Sequence, residues 1–211
     1  AAVAEELAAL EANNTWTMML RKDVPPSARI LDNKTILKIK RTADGSIDRY
    51  KARVVVKGFL QRAGLDYAEV FAPVVHYETI RMLLSLCASF DLEAHHMDFQ
   101  TAFLNSDVKE ELYMELPDGL PQTDASGRTM VCKLNKSIYG LKQAPRCWND
   151  LLNTWMLHQG FTRTHADPCL YIRDGGDMDK AMFVTVWVDD LIVICRLAST
   201  ITKFKTAVTD K

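Results

Sequence analysis

The chain has 211 residues, of which 48% are hydrophobic and 25% charged, and its formal net charge at pH 7 is −1. This composition is ordinary for a globular protein of one domain or one and a half, and the charge excludes a basic character of the whole chain. No apolar run approaches the ~18–20 residues of a membrane span, and the N-terminal stretch lacks the basic start of a signal peptide. The five cysteines are scattered without a C-x-x-C motif, which predicts reduced thiols in an intracellular protein that is not secreted.

Hydrophobic periodicity and turn residues divide the chain into alternating helices and strands, with no repeat or linker. Two amphipathic helices, Glu78 to Phe90 and Ala144 to His158, are expected to cover one face of an antiparallel sheet in an α+β fold. The other predicted elements, in chain order, are a helix at Ala1 to Glu11, strands at Ile30 to Lys40 and Asp48 to Lys57, a strand at Leu92 to Phe99, a helical turn at Thr101 to Asn105, strands at Leu112 to Leu116, Val131 to Leu134 and Cys169 to Ile172, and a helix from Ser199.

Basic residues are concentrated in two stretches of the chain. Alternation along the strand at 48–57 puts Lys51, Arg53 and Val55 on one face, which predicts a hairpin with a cationic outer face. This hairpin lies within a basic patch from residue 34 to 62, and a second patch from 128 to 146 contains no acidic residue. Such segregated charge indicates phosphate binding, and a solvated charged face is the alternative interpretation.

The stretch from Ala181 to Cys195 contains two apolar, strand-like runs around the adjacent carboxylates Asp189 and Asp190. The Asp-Asp pair predicts a tight hairpin turn. Neighbouring like charges near a core are costly unless they bind a hard cation such as Mg²⁺, and a solvated turn is the alternative. Asp98, near the end of the strand at 92–99, would complete a three-carboxylate site if it lies in the same sheet. We expect such a cluster to support two-metal phosphoryl transfer.

Seven short motifs cover nearly the whole chain. They are NNTW at 13–16, YKARVVVKGF at 50–59, DYAEVFAPV at 66–74, MDFQTAFLN at 97–105, LYMELPDG at 112–119, VCKLNKSIYGLKQAPRCW at 131–148 and VWVDDLIV at 186–193. Each alone is weak, but their order and coverage together are specific. On these motifs the chain resembles the reverse transcriptase of copia/Ty-type LTR retrotransposons.

This resemblance implies the fingers and palm of a right-hand polymerase, with residues 1–75 as a fingers-like part and residues 76–211 as the palm with a fingers insertion. It implies an RNA-directed DNA polymerase that transfers nucleotides to a primer 3′-OH with Mg²⁺, or Mn²⁺ as a substitute. The implied partners are the RNA or DNA template-primer, dNTPs and the integrase and RNase H regions of an intact Pol polyprotein, with no membrane. The implied location is the cytoplasm, in a virus-like particle, or the nucleus.

The resemblance also assigns catalytic roles to residues at matching positions. Asp98 and Asp189 resemble the two metal-bridging carboxylates, and Asp190 resembles the second Asp of the family's Tyr-Val-Asp-Asp box. Phe99 would offer its backbone carbonyl to a metal ion. Trp187 stands where the family usually has Tyr and would pack against the primer.

Further positions resemble the family's nucleotide-binding residues. Phe103 falls where an aromatic ring lies under the incoming sugar. Lys51 or Arg53 resembles the cation that grips the triphosphate, and the register between the two stays open. Lys142 and Gln143 belong to a segment that packs near the incoming base and template.

Other positions concern nucleic-acid contact and departures from the family pattern. Lys38 and Lys40 are candidates for contact with primer or template phosphates, and Thr35 stands where a Trp is usual. The chain ends at Lys211, before the family's thumb and RNase H domain, so we expect poor polymerisation. One alternative is a non-enzymatic remnant with a palm fold and weak nucleic-acid binding. Another is a different palm-type nucleotidyl transferase such as a cyclase, which the basic hairpin and the segment around Lys142 argue against.

Overall fold

The computed structural model describes residues 1–209 and confirms the α+β class. Most predicted elements are present within a residue or two of their expected ends, and the strands at 16–20, 30–31 and 162–163 were not predicted separately. The elements are α1 (Ala2–Ala12), β1 (Trp16–Leu20), β2 (Ile30–Leu31), β3 (Asn33–Arg41), β4 (Ile47–Val56), α2 (Tyr77–Phe90), β5 (Glu93–Asp98), β6 (Tyr113–Glu115), β7 (Met130–Leu134), α3 (Ala144–His158), β8 (Thr162–Arg163), β9 (Leu170–Arg173), β10 (Met182–Trp187), β11 (Asp190–Cys195) and α4 (Ala198–Thr209).

The chain folds into two compact units. Unit 1 contains Ala1–Phe71 and Thr101–Trp148, and unit 2 contains Ala72–Gln100 and the described residues 149–209. The boundary predicted at residue 75 is close to Ala72, where the chain first enters unit 2. The assignment of residues 1–75 and 76–211 to fingers and palm stays a prediction.

In unit 1, β3 and β4 form a separate two-stranded antiparallel sheet with two different faces. On one face the paired positions are Lys38 with Lys51 and Ile36 with Arg53, so the predicted cationic face is present. On the other face Val54 is buried, and its backbone N–H donates to Glu6 of α1 at 3.0 Å. The apolar base of the hairpin is therefore covered by α1, while its cations lie on the opposite side.

The rest of unit 1 is built on a four-stranded sheet in the order β1-β7-β6-β2. Its pairs are antiparallel except β2 with β6. Leu31, Met114, Cys132 and Ile138 are fully buried in one apolar cluster of this unit. Burial raises the pKa of the Cys132 thiol to about 12, as expected for a structural cysteine that stays protonated.

Unit 2 contains a five-stranded antiparallel sheet in the order β5-β11-β10-β9-β8. Leu83 of α2 packs on the face that carries Phe183 and Ile194. Tyr171 lies on the opposite face, where its hydroxyl donates to Asn153 of α3 at 3.0 Å. The two amphipathic helices therefore contact opposite faces, and the predicted single-face arrangement is wrong. The reason is that β10 is buried at five consecutive positions, so both faces of this strand need an apolar cover.

The N-terminus of α2 is anchored by a carboxylate from a different part of unit 2. Asp167 accepts hydrogen bonds from the His76 N–H at 2.9 Å, the Thr79 hydroxyl at 2.6 Å and the Cys169 N–H at 2.9 Å. Burial alone would raise the pKa of Asp167, but these hydrogen bonds outweigh it and hold the pKa below its usual value. The backbone N–H of Val75 also donates to Val186 of β10 at 3.3 Å, so the chain entering α2 is tied to the sheet.

Candidate active site

A two-residue turn at Val188 and Asp189 joins β10 to β11. Trp187 and Asp190 are the last paired residues before it, so the predicted turn at Asp189-Asp190 is wrong by one residue. Register explains the shift, because sliding β11 by one residue would turn its buried Leu191 and the alternating apolar positions after it to the other face. Val188 has φ +57°, a strained backbone conformation for a β-branched residue.

The three predicted carboxylate residues meet at this end of the sheet through the backbone. Asp98 is directly opposite Asp190 in the pairing of β5 and β11. Residues so paired have Cβ atoms ~4.5–5.5 Å apart on the same face of the sheet. The N–H of Phe99 donates to the carbonyl of Asp189 at 2.8 Å, which ties the turn to the end of β5. Sheet pairing thus brings together residues that are about ninety positions apart.

A histidine side chain contacts one of the three carboxylates. Within residues 1–209, no group of three or more His, Cys, Asp or Glu side chains is arranged to hold a metal ion. The three-carboxylate metal site stays a prediction. Asp190 accepts a hydrogen bond from Nε2 of His96 at 2.8 Å. His96 lies on the same face as Asp98, two residues earlier in β5. The alternation of β5 was the sequence signal that would have placed His96 beside the carboxylates.

The oxygen donors at this site suit a hard divalent cation. The carboxylates of Asp98, Asp189 and Asp190 and the carbonyl of Phe99 are all oxygen ligands, which Mg²⁺ prefers. Asp98 is exposed and the other two carboxylates are partly exposed, so an ion has access from solvent. These oxygen atoms are therefore the type of ligand that the expected Mg²⁺ ion requires.

An exposed aromatic ring lies next to the carboxylates. Trp187, the last residue of β10, is 45% exposed and lies opposite Asp190 in the sheet. A large apolar side chain at this exposure is available to pack against another molecule. The contact of Trp187 with a primer stays a prediction.

In unit 1, Tyr139 connects two of the predicted nucleotide-binding residues. The Arg53 guanidinium lies 4.5 Å from the centre of the Tyr139 ring. The ring of Phe103 meets the same ring edge-on, with centroids 4.9 Å apart and planes at 65°. Arg53 makes no ion pair with any carboxylate among residues 1–209, so its N–H donors remain available for an anion. This geometry favours Arg53 over Lys51 as the residue beside the predicted sugar contact.

The segment that carries Tyr139 is held tightly against the end of β4. The N–H of Val56 donates to the Tyr139 carbonyl at 2.8 Å. Gly140 has φ +96°, and a Cβ added there would lie 2.0 Å from the Val56 carbonyl oxygen. A Cβ on Gly58 would lie 1.9 Å from the Gly140 carbonyl oxygen. Both contacts require glycine, and they fix the backbone around Tyr139.

Lys142 is positioned by a second tyrosine. Its Nζ lies 3.1 Å from the Tyr67 hydroxyl and 4.8 Å from the centre of that ring. Its backbone N–H donates to Oε1 of Gln61 at 2.8 Å. The side chain is thus held at the surface of unit 1 by the loop at residues 61–67.

Gln143 has a different environment from the one predicted. It is only 2% exposed, and its Oε1 accepts a hydrogen bond from Nε2 of Gln61 at 2.9 Å. Its Nε2 donates to the Asp66 carbonyl at 2.9 Å and to Glu110 at 3.3 Å. Both ends of the side chain are therefore used inside unit 1. The structure gives Gln143 an internal structural role, and its contact with a nucleotide stays a prediction.

The two basic patches differ once the chain is folded. In the patch at 34–62, Lys38 and Lys40 are exposed and make no ion pair with the described residues. The patch at 128–146 is largely neutralised by carboxylates from elsewhere in unit 1, which the sequence did not reveal. The ion pairs are Arg128 with Asp124 at 2.6 Å, Lys133 with Glu111 at 2.6 Å, Lys136 with Asp107 at 2.7 Å and Arg146 with Glu69 at 3.1 Å.

Residues 13–211 match the family model described as reverse transcriptase (RNA-dependent DNA polymerase). The chain is 42% identical over 204 residues to the retrovirus-related Pol polyprotein from transposon TNT 1-94 of Nicotiana tabacum, which covers 97% of this chain and 15% of that protein. It is 38% identical over 192 residues to the Pol polyprotein from transposon RE2 of Arabidopsis thaliana, covering 91% and 13%. It is 27% identical over 187 residues to the transposon Ty1-DR5 Gag-Pol polyprotein of Saccharomyces cerevisiae, covering 87% and 10%. The chain spans 15% or less of the length of these relatives.

Proposed function

The chain belongs to the reverse transcriptase (RNA-dependent DNA polymerase) family, and we propose that it adds deoxynucleotides from dNTPs to the 3′-OH of a primer on an RNA or DNA template. The observation that carries this proposal is the pairing of Asp98 with Asp190 beside the turn that contains Asp189. We assign unit 2 to the palm and unit 1 to the fingers. The names of its relatives support a place within a retrotransposon Pol polyprotein. We propose that the chain acts there together with integrase and RNase H regions, in the cytoplasm or nucleus.

In unit 2 the carboxylates are the catalytic groups. Asp98, Asp189 and Asp190, with the Phe99 carbonyl, are the residues that would hold two Mg²⁺ ions. When bound, such ions stabilise the charge on the transferring phosphoryl group and activate the primer hydroxyl, and Mn²⁺ is the expected substitute. The hydrogen bond from His96 limits the orientations available to the Asp190 carboxylate. Trp187 packs against the primer next to these groups.

In unit 1 the cations and one aromatic ring bind the nucleotide and template. Arg53 donates to the triphosphate oxygens, because a planar guanidinium without a carboxylate partner matches phosphate geometry. Lys142 supplies a second positive charge, held by Tyr67. Phe103 occupies the volume that a 2′-hydroxyl would need, so it selects deoxyribose by exclusion. Lys51, Lys38 and Lys40 are on the face of the hairpin that we expect to contact nucleic-acid phosphates.

A primer-extension assay tests the proposed reaction. We expect Mg²⁺-dependent incorporation of dTTP on a poly(rA) template with an oligo(dT) primer. Asp189→Asn should lower the rate by at least ~10²-fold, the scale of loss when reacting groups are misplaced by about 1 Å. Glu93→Gln, at the other end of β5, is the matched control and should leave the rate unchanged.

Two results would contradict the proposal. Incorporation that survives in Asp189→Asn would mean that another group or a contaminant performs the reaction. A folded chain that incorporates no nucleotide, even with Mn²⁺, would favour a non-enzymatic remnant of the family. Far-ultraviolet circular dichroism of each variant separates loss of chemistry from loss of folding.

A further inference from the structure

We propose that Tyr139 is a positioning residue of the nucleotide site, because one ring holds both the Arg53 guanidinium and the Phe103 ring. Through this ring, triphosphate binding by Arg53 and sugar selection by Phe103 depend on each other. The inference rests on the proposed function and deepens it. It names a residue that determines substrate specificity without a catalytic role.

The Arg53 guanidinium interacts with the face of the Tyr139 ring. At 4.5 Å from the ring centre, the guanidinium lies within the range of a cation–π interaction. Such stacking uses the flat face of the guanidinium and leaves the in-plane N–H donors for an anion. Because Arg53 has no carboxylate partner among residues 1–209, we expect the tyrosine ring to orient its guanidinium.

The Phe103 ring contacts the same tyrosine ring. The edge-to-face geometry, with centroids 4.9 Å apart, is a favourable arrangement for two aromatic rings. Phe103 also packs against the apolar cluster of unit 1, so its position depends on that cluster and on Tyr139 together. Removing the Tyr139 ring would take away one of the surfaces that keep Phe103 in place.

The backbone at Tyr139 is held against β4. The Tyr139 carbonyl is hydrogen bonded to Val56 of β4, the strand that also carries Arg53. The next residue, Gly140, has no room for a side chain against β4. The Tyr139 backbone therefore stays in place, and the orientation of its ring on that backbone depends on the contacts with Arg53 and Phe103.

The test measures equilibrium binding of radiolabelled dATP and ATP to the full chain with Mg²⁺. We expect Tyr139→Leu to weaken dATP binding by about 3- to 30-fold, the range of a cation–π contact, and to reduce the preference for dATP over ATP. Tyr139→Phe keeps the ring and should bind both nucleotides within about twofold of the wild type. Tyr50→Leu is the matched control, because Tyr50 is an exposed tyrosine on the opposite face of the same hairpin.

Two further measurements distinguish positioning from general stability. In a double-mutant cycle, Tyr139→Leu and Arg53→Gln should weaken dATP binding by less than the product of their separate effects. Phe103→Leu should weaken binding of inorganic triphosphate by about 2- to 5-fold, although this probe has no sugar, because without the Phe103 ring the Tyr139 side chain is held less firmly against Arg53. This second variant tests the coupling even if Tyr139→Leu does not fold.

The outcomes separate this inference from the proposed function. If the wild type binds neither nucleotide, or if Arg53→Gln changes nothing, the proposed function fails and the role of Tyr139 fails with it. If Arg53→Gln weakens binding but Tyr139→Leu changes neither affinity nor preference, the inference alone is overturned. Independent effects in the double-mutant cycle, or unchanged triphosphate binding in Phe103→Leu, would overturn it as well.

Discussion

Asp98 lies directly opposite Asp190 across the β5 and β11 pair, with both carboxylates on one face of the sheet. Like charges directly opposite one another destabilise a strand pair. The pair persists because the surrounding register is fixed by apolar residues, with Leu191 and Val193 of β11 fully buried. His96 contacts the Asp190 carboxylate, and we expect a cation bound at the proposed metal site to relieve the remaining repulsion.

Asp98→Asn should stabilise the fold while it abolishes polymerisation. Relief of the repulsion is expected to contribute a few tenths of a kcal/mol, the low end of the ~0.2–1 kcal/mol range of cross-strand pairs, because Asp98 is exposed. Urea unfolding at low and high salt measures the gain, which should shrink as salt screens the charges. Glu93 lies opposite the uncharged Cys195 on the same strand pair. The variant Glu93→Gln should therefore show no comparable gain in stability. A lower urea midpoint for Asp98→Asn would contradict the expected repulsion.

Phe103→Ala should allow ribonucleotides to be incorporated more readily. The smaller side chain removes the volume that we propose excludes a 2′-hydroxyl, and it also removes the ring contact with Tyr139. The measurement is the ratio of kcat/KM for dATP to that for ATP in primer extension, which should fall by at least ~10-fold, equivalent to ~1.4 kcal/mol. Phe103→Tyr keeps the ring and should retain the ratio. An unchanged ratio in Phe103→Ala would remove Phe103 from the sugar site.

Asp167→Asn should destabilise unit 2 in a pH-dependent way. The pKa of Asp167 is lowered in the folded state, so its stabilising contribution is fully present above the unfolded pKa and is lost as pH falls through the folded pKa. The free energy of unfolding should therefore differ by about 1 kcal/mol between wild type and variant at pH 7, the scale of a helix cap. This difference should shrink below about pH 3.8, the usual pKa of the group.

Urea unfolding between pH 3 and pH 7 measures this dependence. His76 lies 3.7 Å from Asp167, so His76→Gln is measured in parallel to separate its contribution. Asp174→Asn, at an exposed carboxylate in the same unit, is the control and should have little effect. A difference that is constant with pH would show that the Asp167 charge is not the stabilising feature.

Thr35→Val should stabilise unit 1. The Thr35 hydroxyl is buried without a hydrogen-bond partner among the described residues, opposite Val54 in the hairpin. Replacing an unpaired hydroxyl by a methyl group of the same shape removes a desolvation cost of about 1 kcal/mol or more. Thr15→Val is the matched control, because the buried Thr15 hydroxyl donates to the Leu10 carbonyl at 2.7 Å and its loss should destabilise. Denaturation midpoints that fall equally in both variants would contradict this account.

The sequence by itself determined the elements and the family. Helix α3 has the predicted bounds, because its apolar stripe and its N-terminal Pro145 are local signals of a helix. The cationic face of the hairpin also follows from alternation along one strand, as at Lys51 and Arg53. Seven ordered motifs were enough to indicate the reverse transcriptase family, which the family match confirms.

Only the tertiary structure decided which distant residues meet. The turn falls at Val188 because pairing, and not the local sequence, sets the register of β11. Gln143 is buried by Gln61 and Asp66, some eighty positions earlier in the chain, and no periodic pattern encodes that contact. The Tyr139 ring joins Arg53 and Phe103 in the same way. Periodicity records which face of an element a side chain occupies, whereas the partner on that face depends on how the elements pack against one another.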